Sequence, residues 1–121
     1  MKYVSISEAA AQLGIPESTI RYYEKKGLLP QMERDEAGRR IFSENRIAFL
    51  KIIIYLKNTH MPICSIRQYV DWMLEGDSTT ELRLRMFQEH KQAVLAEIAL
   101  MTESLQGIDK KIVRYTNYLS K

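Results

Sequence analysis

PESTIRYYEKKGLLPQMERDEAGRRIF, residues 16–42, holds a short helix, a stop and a charged return loop in quick succession. Pro16 suits the first position of a helix, where its missing N–H costs nothing. Ile20, Tyr23 and Leu28 can then face inward, which leaves Ser18, Thr19, Arg21 and Tyr22 outward. Gly27 supplies a left-handed stop, and Leu28-Leu29-Pro30 is an extended apolar exit. Residues 31–38 are polar, and Gly38-Arg39-Arg40-Ile41-Phe42 reads as a short return strand, so the segment between is a hairpin-like wing. A helix that follows a tight turn and precedes a basic loop has the form that enters the major groove of a duplex.

Working outward, Ser7 reads as the N-cap of a preceding helix, with Glu8 in its first turn and Ala9, Ala10 and Leu13 as its apolar face. Gly14 ends it, so residues 7–27 form two short helices joined by a glycine turn, a helix-turn-helix. Downstream, Ser43 caps a third helix on which Ile47, Leu50 and Ile54 recur at helical spacing and Phe49, Ile53 and Leu56 widen the apolar face. Asn58 to Pro62 breaks it. A fourth helix is expected from about Ile63 to Leu74, with Ile63, Ile66, Val70 and Leu74 as its inward stripe, and Gly76-Asp77 ends it.

From Thr79 or Thr80 to about Tyr118 there is no proline and one glycine. Leu84, Lys91, Ile98, Leu105, Ile112 and Leu119 occupy one heptad position, and Phe87, Val94, Met101, Ile108 and Tyr115 the other. Only Lys91 interrupts this 3,4 alternation, which is the pattern of a coiled coil. Such a helix, about 60 Å long at 1.5 Å per residue, outruns any core the rest of the chain can build, so its seam calls for a second chain. Each large side chain buried there contributes about 1.5–3 kcal/mol before entropy. The expected fold is mainly all-α: a winged helix-turn-helix domain over residues 1–76, then a long dimerisation helix over 77–121.

Bulk properties narrow the function. The 121 residues are 45% apolar, ordinary for a globular chain, and the one near-continuous apolar run, Ile47–Leu56, is interrupted by Lys51 and too short to span a bilayer. No secretory signal is visible, and the single cysteine, Cys64, fits a reducing cytoplasm. One Cys with His60 and His90 makes a closed metal site in one chain improbable, and no cofactor is expected. Residues 1–58 carry ten Lys/Arg against seven Asp/Glu, whereas residues 59–121 carry eight of each. The positive excess therefore lies in the half with the helix-turn-helix, which favours a polyanion there. No nucleophile–base pair, glycine-rich phosphate loop or carboxylate dyad suggests an enzyme. Arg39 and Arg40, adjacent on the wing, suit phosphates better than a merely solvated loop would require.

The pieces Ser5-Ile6-Ser7-Glu8-Ala9-Ala10, Thr19-Ile20-Arg21-Tyr22-Tyr23-Glu24, Gly27-Leu28-Leu29-Pro30, Gly38-Arg39-Arg40-Ile41-Phe42-Ser43 and Met61-Pro62 occur in the order and spacing of one family. Residues 3–75 closely resemble the DNA-binding domain of MerR-type transcriptional regulators, and the coil resembles that family's dimerisation helix. The resemblance implies a homodimer joined by an antiparallel coiled coil on an inverted repeat in promoter DNA. It implies that an inducer makes the dimer distort the duplex for RNA polymerase, an activation through DNA shape. By the same resemblance Ser18, Thr19, Arg21 and Tyr22 lie at the groove, and Tyr23 touches the backbone or the core. Arg39, Arg40 and Lys57 would hold phosphates, while Phe87, Val94, Ile98, Met101, Leu105, Ile108, Ile112 and Tyr115 would pair two copies.

The effector is where the likeness thins, since the chain is expected to be a short form without a separate C-terminal effector domain. Metal-sensing members carry cysteines near the end of the coil, and this chain has none there. Electrophile-sensing members carry one late in the third helix, where Tyr55 stands. Cys64, near the start of helix four beside Arg67, is either a reactive thiol for an electrophile or a small inert residue. Tyr69 and Trp72, with Met73, Met86 and Phe87, are either a small-molecule pocket or core. The rival reading is a DNA-architectural, excisionase-like protein that uses a similar winged domain without an inducer.

Overall fold

The computed structural model describes residues 2–121. The chain divides into two compact units, Met1–Arg83 and Leu84–Lys121.

The first unit begins with strand β1 (Tyr3–Ser5) and helix α1 (Ile6–Leu13). Ser5, not Ser7, is the N-cap: its Oγ accepts from the Glu8 backbone N–H at 3.1 Å, and Glu8 Oε1 accepts from the Ser5 N–H at 3.2 Å. This reciprocal capping box needs an acid three residues after the serine. Ser5 has one and Ser7, followed by Ala10, does not. Gly14, at φ 68°, closes α1 by donating to Ala10 and Ala11 carbonyls. Pro16 is the N-cap of helix α2 (Glu17–Lys25), and Gly27, at φ 73°, turns the chain out of it.

Strands β2 (Glu33–Arg34) and β3 (Arg40–Ser43) form the wing. β3 is the middle strand of a three-stranded antiparallel sheet in the order β1-β3-β2. Val4 pairs with Phe42 and Glu33 with Ile41, so the wing is stitched to the chain's first strand. Strand β1 is absent from the elements the sequence predicts. Three residues whose partner lies about forty positions away leave no local periodicity to read.

Ser43 ends β3 and caps helix α3 (Glu44–Asn58), its Oγ accepting from the Arg46 N–H at 3.2 Å. Helix α4 (Ile63–Glu75) follows the break at His60, the one non-glycine residue with positive φ among those described. Its inward stripe is corrected: Ile66, Tyr69 and Val70 are buried, Met73 is half-buried, and Leu74 is 65% exposed. The buried arc is thus i, i+3, i+4, i+7 from Ile66, which turns Leu74 to the outside. Tyr69 stacks on Phe49 of α3, with ring centroids 6.0 Å apart and planes at 5°. Phe42, Ile20, Leu28, Leu50, Ile53 and Ile66 are fully buried and join sheet, helix-turn-helix and the α3–α4 pair into one core.

A 3₁₀ turn (Asp77–Thr79) leads into α5 (Thr80–Leu119). The corner is held by side chains. Buried Thr79 directs its Oγ1 at the carbonyls of Trp72 (2.5 Å) and Gly76 (2.9 Å), and the Arg83 guanidinium donates to Gly76 O, Thr79 Oγ1, Thr80 Oγ1 and Met73 Sδ, each at 3.1 Å. Carbonyls left over at the end of α4 are thereby satisfied, and the first turn of α5 belongs to the first unit. From Leu84 onward the second unit is one helix with no buried residue.

Candidate nucleic-acid interface

α2 presents the face expected of it. Its apolar positions Ile20 and Tyr23 are buried in the core, which leaves Ser18, Arg21 and Tyr22 exposed and Thr19 half-exposed. Arg21 Nη2 lies 3.3 Å from Glu17 Oε1, an exposed i,i+4 pair that holds the guanidinium loosely. Lys26 Nζ sits 5.7 Å from the centre of the Tyr22 ring. This cation–π contact keeps an amine beside the phenol. Tyr23 tilts against Tyr22 at 6.1 Å, and burial first, then Tyr22, pushes its hydroxyl pKa above the ordinary value. Of the two places open to Tyr23, backbone or core, it occupies the core.

The wing is a hairpin held by side-chain hydrogen bonds. Asp35 Oδ1 accepts from the backbone N–H groups of Arg39 (2.9 Å) and Ala37 (3.0 Å), and Arg34 Nη1 donates to Gly38 O at 2.8 Å. The Arg39 N–H, helped by that residue's nearby charge and the Ala37 N–H, holds the Asp35 carboxyl below its usual range against the opposing effect of desolvation. Gly38, at φ 80°, adopts the left-handed turn this loop requires.

The two wing arginines differ. Arg39 is 80% exposed and its Nε is 3.3 Å from Asp35. Arg40 turns the other way: its Nε and Nη2 lie 2.9 and 2.8 Å from Glu24 Oε1 on α2, and both side chains are about a quarter exposed. The strand of the wing is therefore fastened to the recognition helix by a shielded, doubly bonded ion pair.

Two further arginines, which sequence reading did not assign to this surface, complete the scaffold. Arg46 Nη1 donates to the carbonyls of Pro30 (3.1 Å) and Gln31 (3.2 Å) and pins the exit from α2. Arg67 Nε donates to the Lys26 carbonyl at 2.6 Å and ties α4 to the end of α2. The only available signal was an arginine near a helix start, because its partner lies 41 residues away. Lys57 is half-buried near the end of α3. Cys64 is an exposed free thiol in the first turn of α4, and Arg67 is turned to Lys26 O. Tyr69 belongs to the core, burial raising its hydroxyl pKa against the opposing charge of Arg83, and Trp72 is half-buried. Among the described residues no group of three or more His, Cys, Asp or Glu converges, and no helix is long and apolar enough to cross a membrane.

A helix-turn-helix with an outward polar recognition face, locked to a basic wing, is the arrangement that comparison with known proteins finds again. The family described as MerR HTH family regulatory protein matches residues 4–72. The chain belongs to the MerR family. The crystal structure of HiNmlR, a MerR family regulator lacking the sensor domain, bound to promoter DNA, superposes with a TM-score of 0.88 at 33% identity. The match covers 96% of this chain and 92% of that one. A MerR family transcriptional regulator from Bacillus thuringiensis gives the same TM-score at 41% identity, covering 93% and 99% of the two chains. An HTH-type transcriptional regulator of Haemophilus influenzae is 35% identical over 90% of this chain and 81% of its own length. As a MerR-type protein, the chain is a DNA-binding transcriptional regulator and not an enzyme.

Proposed function

We propose that this MerR-type regulator binds an inverted repeat in promoter DNA as a homodimer and controls transcription by distorting the duplex. The observation that carries the reading is the outward Ser18/Arg21/Tyr22 face of α2, with half-exposed Thr19, beside the wing that bears Arg39. In this reading the first unit reads DNA and α5 joins two copies. Arg21 and Tyr22 meet base edges and nearby phosphates, and Arg39 and Lys57 hold the backbone. Arg40 contributes chiefly by holding the wing against α2. The helical seam from Phe87 through Val94, Ile98, Met101, Leu105, Ile108 and Ile112 to Tyr115 pairs two copies, which sets the spacing of the half-sites.

RNA polymerase at the promoter is the partner such a distortion serves, and the cytoplasm is where it operates. A small molecule or an electrophile is the inducer. For an electrophile the exposed Cys64 is the thiol it would meet, and Cys64→Ser would then abolish the response while leaving DNA affinity intact. The related HiNmlR on promoter DNA supports the reading, as does the basic excess of residues 1–58.

The test is selection of binding sites from a random pool of duplex DNA with purified protein. An enriched inverted repeat is expected, with Arg21→Ala weakening binding to it by about 1–3 kcal/mol. Enrichment of single half-sites or direct repeats would instead favour an architectural, excisionase-like protein. Salt-sensitive binding without enrichment would sink the operator reading.

A further inference from the structure

A groove in the first unit joins two unpaired opposite charges to an apolar wall. It runs between the wing sheet, the start of α3 and the end of α4, and its volume is about 340 Å³. Sites for small molecules usually begin at about 300 Å³. Phe49, Met73 and Leu74 supply the apolar lining. Phe49 and Met73 are half-buried, whereas Leu74 is 65% exposed and gains most from being covered.

The charges come from Arg46 and Glu33, which line the same groove. Arg46 gives its Nη1 to the Pro30 and Gln31 carbonyls, and its Nε and Nη2 have no partner among the described residues. Glu33 is exposed and joins no salt bridge with a described residue. The Tyr3 hydroxyl lies beside it, and that hydrogen bond, followed by the Glu33 charge, raises the tyrosine pKa above its ordinary value. A cation and an anion thus face one small space without reaching each other. A guanidinium edge suits a carboxylate, and a carboxylate suits an ammonium. A ligand carrying only one of these charges meets a like charge in the groove, whereas a ligand carrying both is matched at each end.

We propose that this groove binds a small zwitterion with an apolar body, namely a hydrophobic amino acid. Its carboxylate meets the free edge of Arg46, its ammonium meets Glu33, and its side chain covers Phe49, Met73 and Leu74. The site gives the inducer of the reading above a chemical class, and its regulatory role rests on that reading. Arg46 fastens the exit from α2, and Met73 Sδ accepts from Arg83 at 3.1 Å in the α4–α5 corner. An occupant therefore touches a fastening of the recognition helix and a fastening of the first turn of α5.

The test is titration of the full-length protein, carrying methyl-labelled methionine, with L-phenylalanine, L-leucine and L-methionine. The Met73 methyl resonance, identified with Met73→Leu, should shift saturably with at least one of them, with Kd on the order of 1 mM or below. For L-phenylalanine the two matched analogues are 3-phenylpropanoate, which lacks the ammonium, and phenethylamine, which lacks the carboxylate. Each should bind about tenfold or more weakly. Glu33→Gln should weaken the amino acid by about the same factor and leave 3-phenylpropanoate no weaker. The analogues act on unmodified protein, so they decide even if the variant misfolds. No saturable shift, or analogues as tight as the amino acid, overturns the proposal. So does a Met73 resonance that moves with protein dilution and not with the amino acids, since a second copy would then cover the groove. The titration contains no DNA, so its failure leaves the DNA reader standing. Transcription in vitro from the selected operator should change when the bound amino acid is added, and an unchanged level overturns the inducer role.

Discussion

The two units handle the same kind of residue in opposite ways. In the first, Ile20, Leu28, Phe42, Leu50, Ile53 and Ile66 are completely withdrawn from solvent. In the second, Ile98, Met101, Leu105, Ile108, Ile112 and Tyr115 are all more than half exposed within the chain, and α5 buries nothing. Hydropathy does not separate the two sets, but spacing and context do. A sheet and four short helices converge on a shared interior, whereas the second unit is a single helix. The first unit is satisfied by its own sequence, and in the reading proposed above the second is satisfied by another molecule.

The largest effect expected breaks the second side of this contrast alone. Ile98→Asp with Ile108→Asp puts four carboxylates into a paired seam, and burying each unpaired charge costs several kcal/mol. The dimer should weaken by roughly a thousandfold or more. Sedimentation would show monomers, while amide exchange protection of α1–α4 persists. If protection of α1–α4 collapses with the dimer, the two units are not independent.

The next breaks the first side. Leu50→Ala removes a fully buried side chain and should cost about 2–5 kcal/mol in urea unfolding of the first unit. No comparable loss should follow from Leu100→Ala on α5, whose side chain is 63% exposed. A smaller effect, about 1–3 kcal/mol, is expected for Arg40→Ala, which leaves Glu24 without its partner. Arg39→Ala should leave stability unchanged and instead lower DNA affinity and the salt slope, by about one charge. Equal stability losses from the two arginines would erase the distinction between them.

The smallest sharpens the wing alone. The Asp35 carboxyl is held below its ordinary pKa in the folded state, so its contribution is complete above the unfolded value, near pH 4, and is lost as pH falls through the lowered folded value. The Arg39 amide resonance should therefore shift only in acid, and Asp35→Asn should remove that titration.

What was legible in the sequence follows the same division. The helix-turn-helix, the wing and the long helix are written in short-range terms: glycine stops at 14 and 27, Ser43 before α3, and a 3,4 alternation sustained over the whole of α5. The outward face of α2 was legible because Ile20 and Tyr23 fix which side is buried. What escaped depends on partners far along the chain. β1 is defined by β3, the role of Arg40 by Glu24, and that of Arg67 by Lys26. Arg39 and Arg40 look alike in sequence. They separate only in the folded chain, where Arg39, just before β3, lies beside Asp35 and Arg40, the first residue of β3, turns to Glu24 on α2. The stripe of α4 was misjudged by one position for a related reason: Tyr69, taken as a pocket candidate, has its inward direction set by Phe49 on another helix.

The Arg40–Glu24 pair has a consequence for what kind of duplex the protein accepts. A wing on a free loop would swing until Arg39 found a phosphate, whatever the distance from the recognition helix. Here β3 is held between β1 and β2 and bolted to α2 by two short bonds to one carboxylate oxygen. In the reading proposed above, the placing of the wing against α2 is thus set before any DNA arrives, and the first unit would work as a caliper. On that reading, a duplex whose backbone lies at another distance would itself have to deform to be gripped.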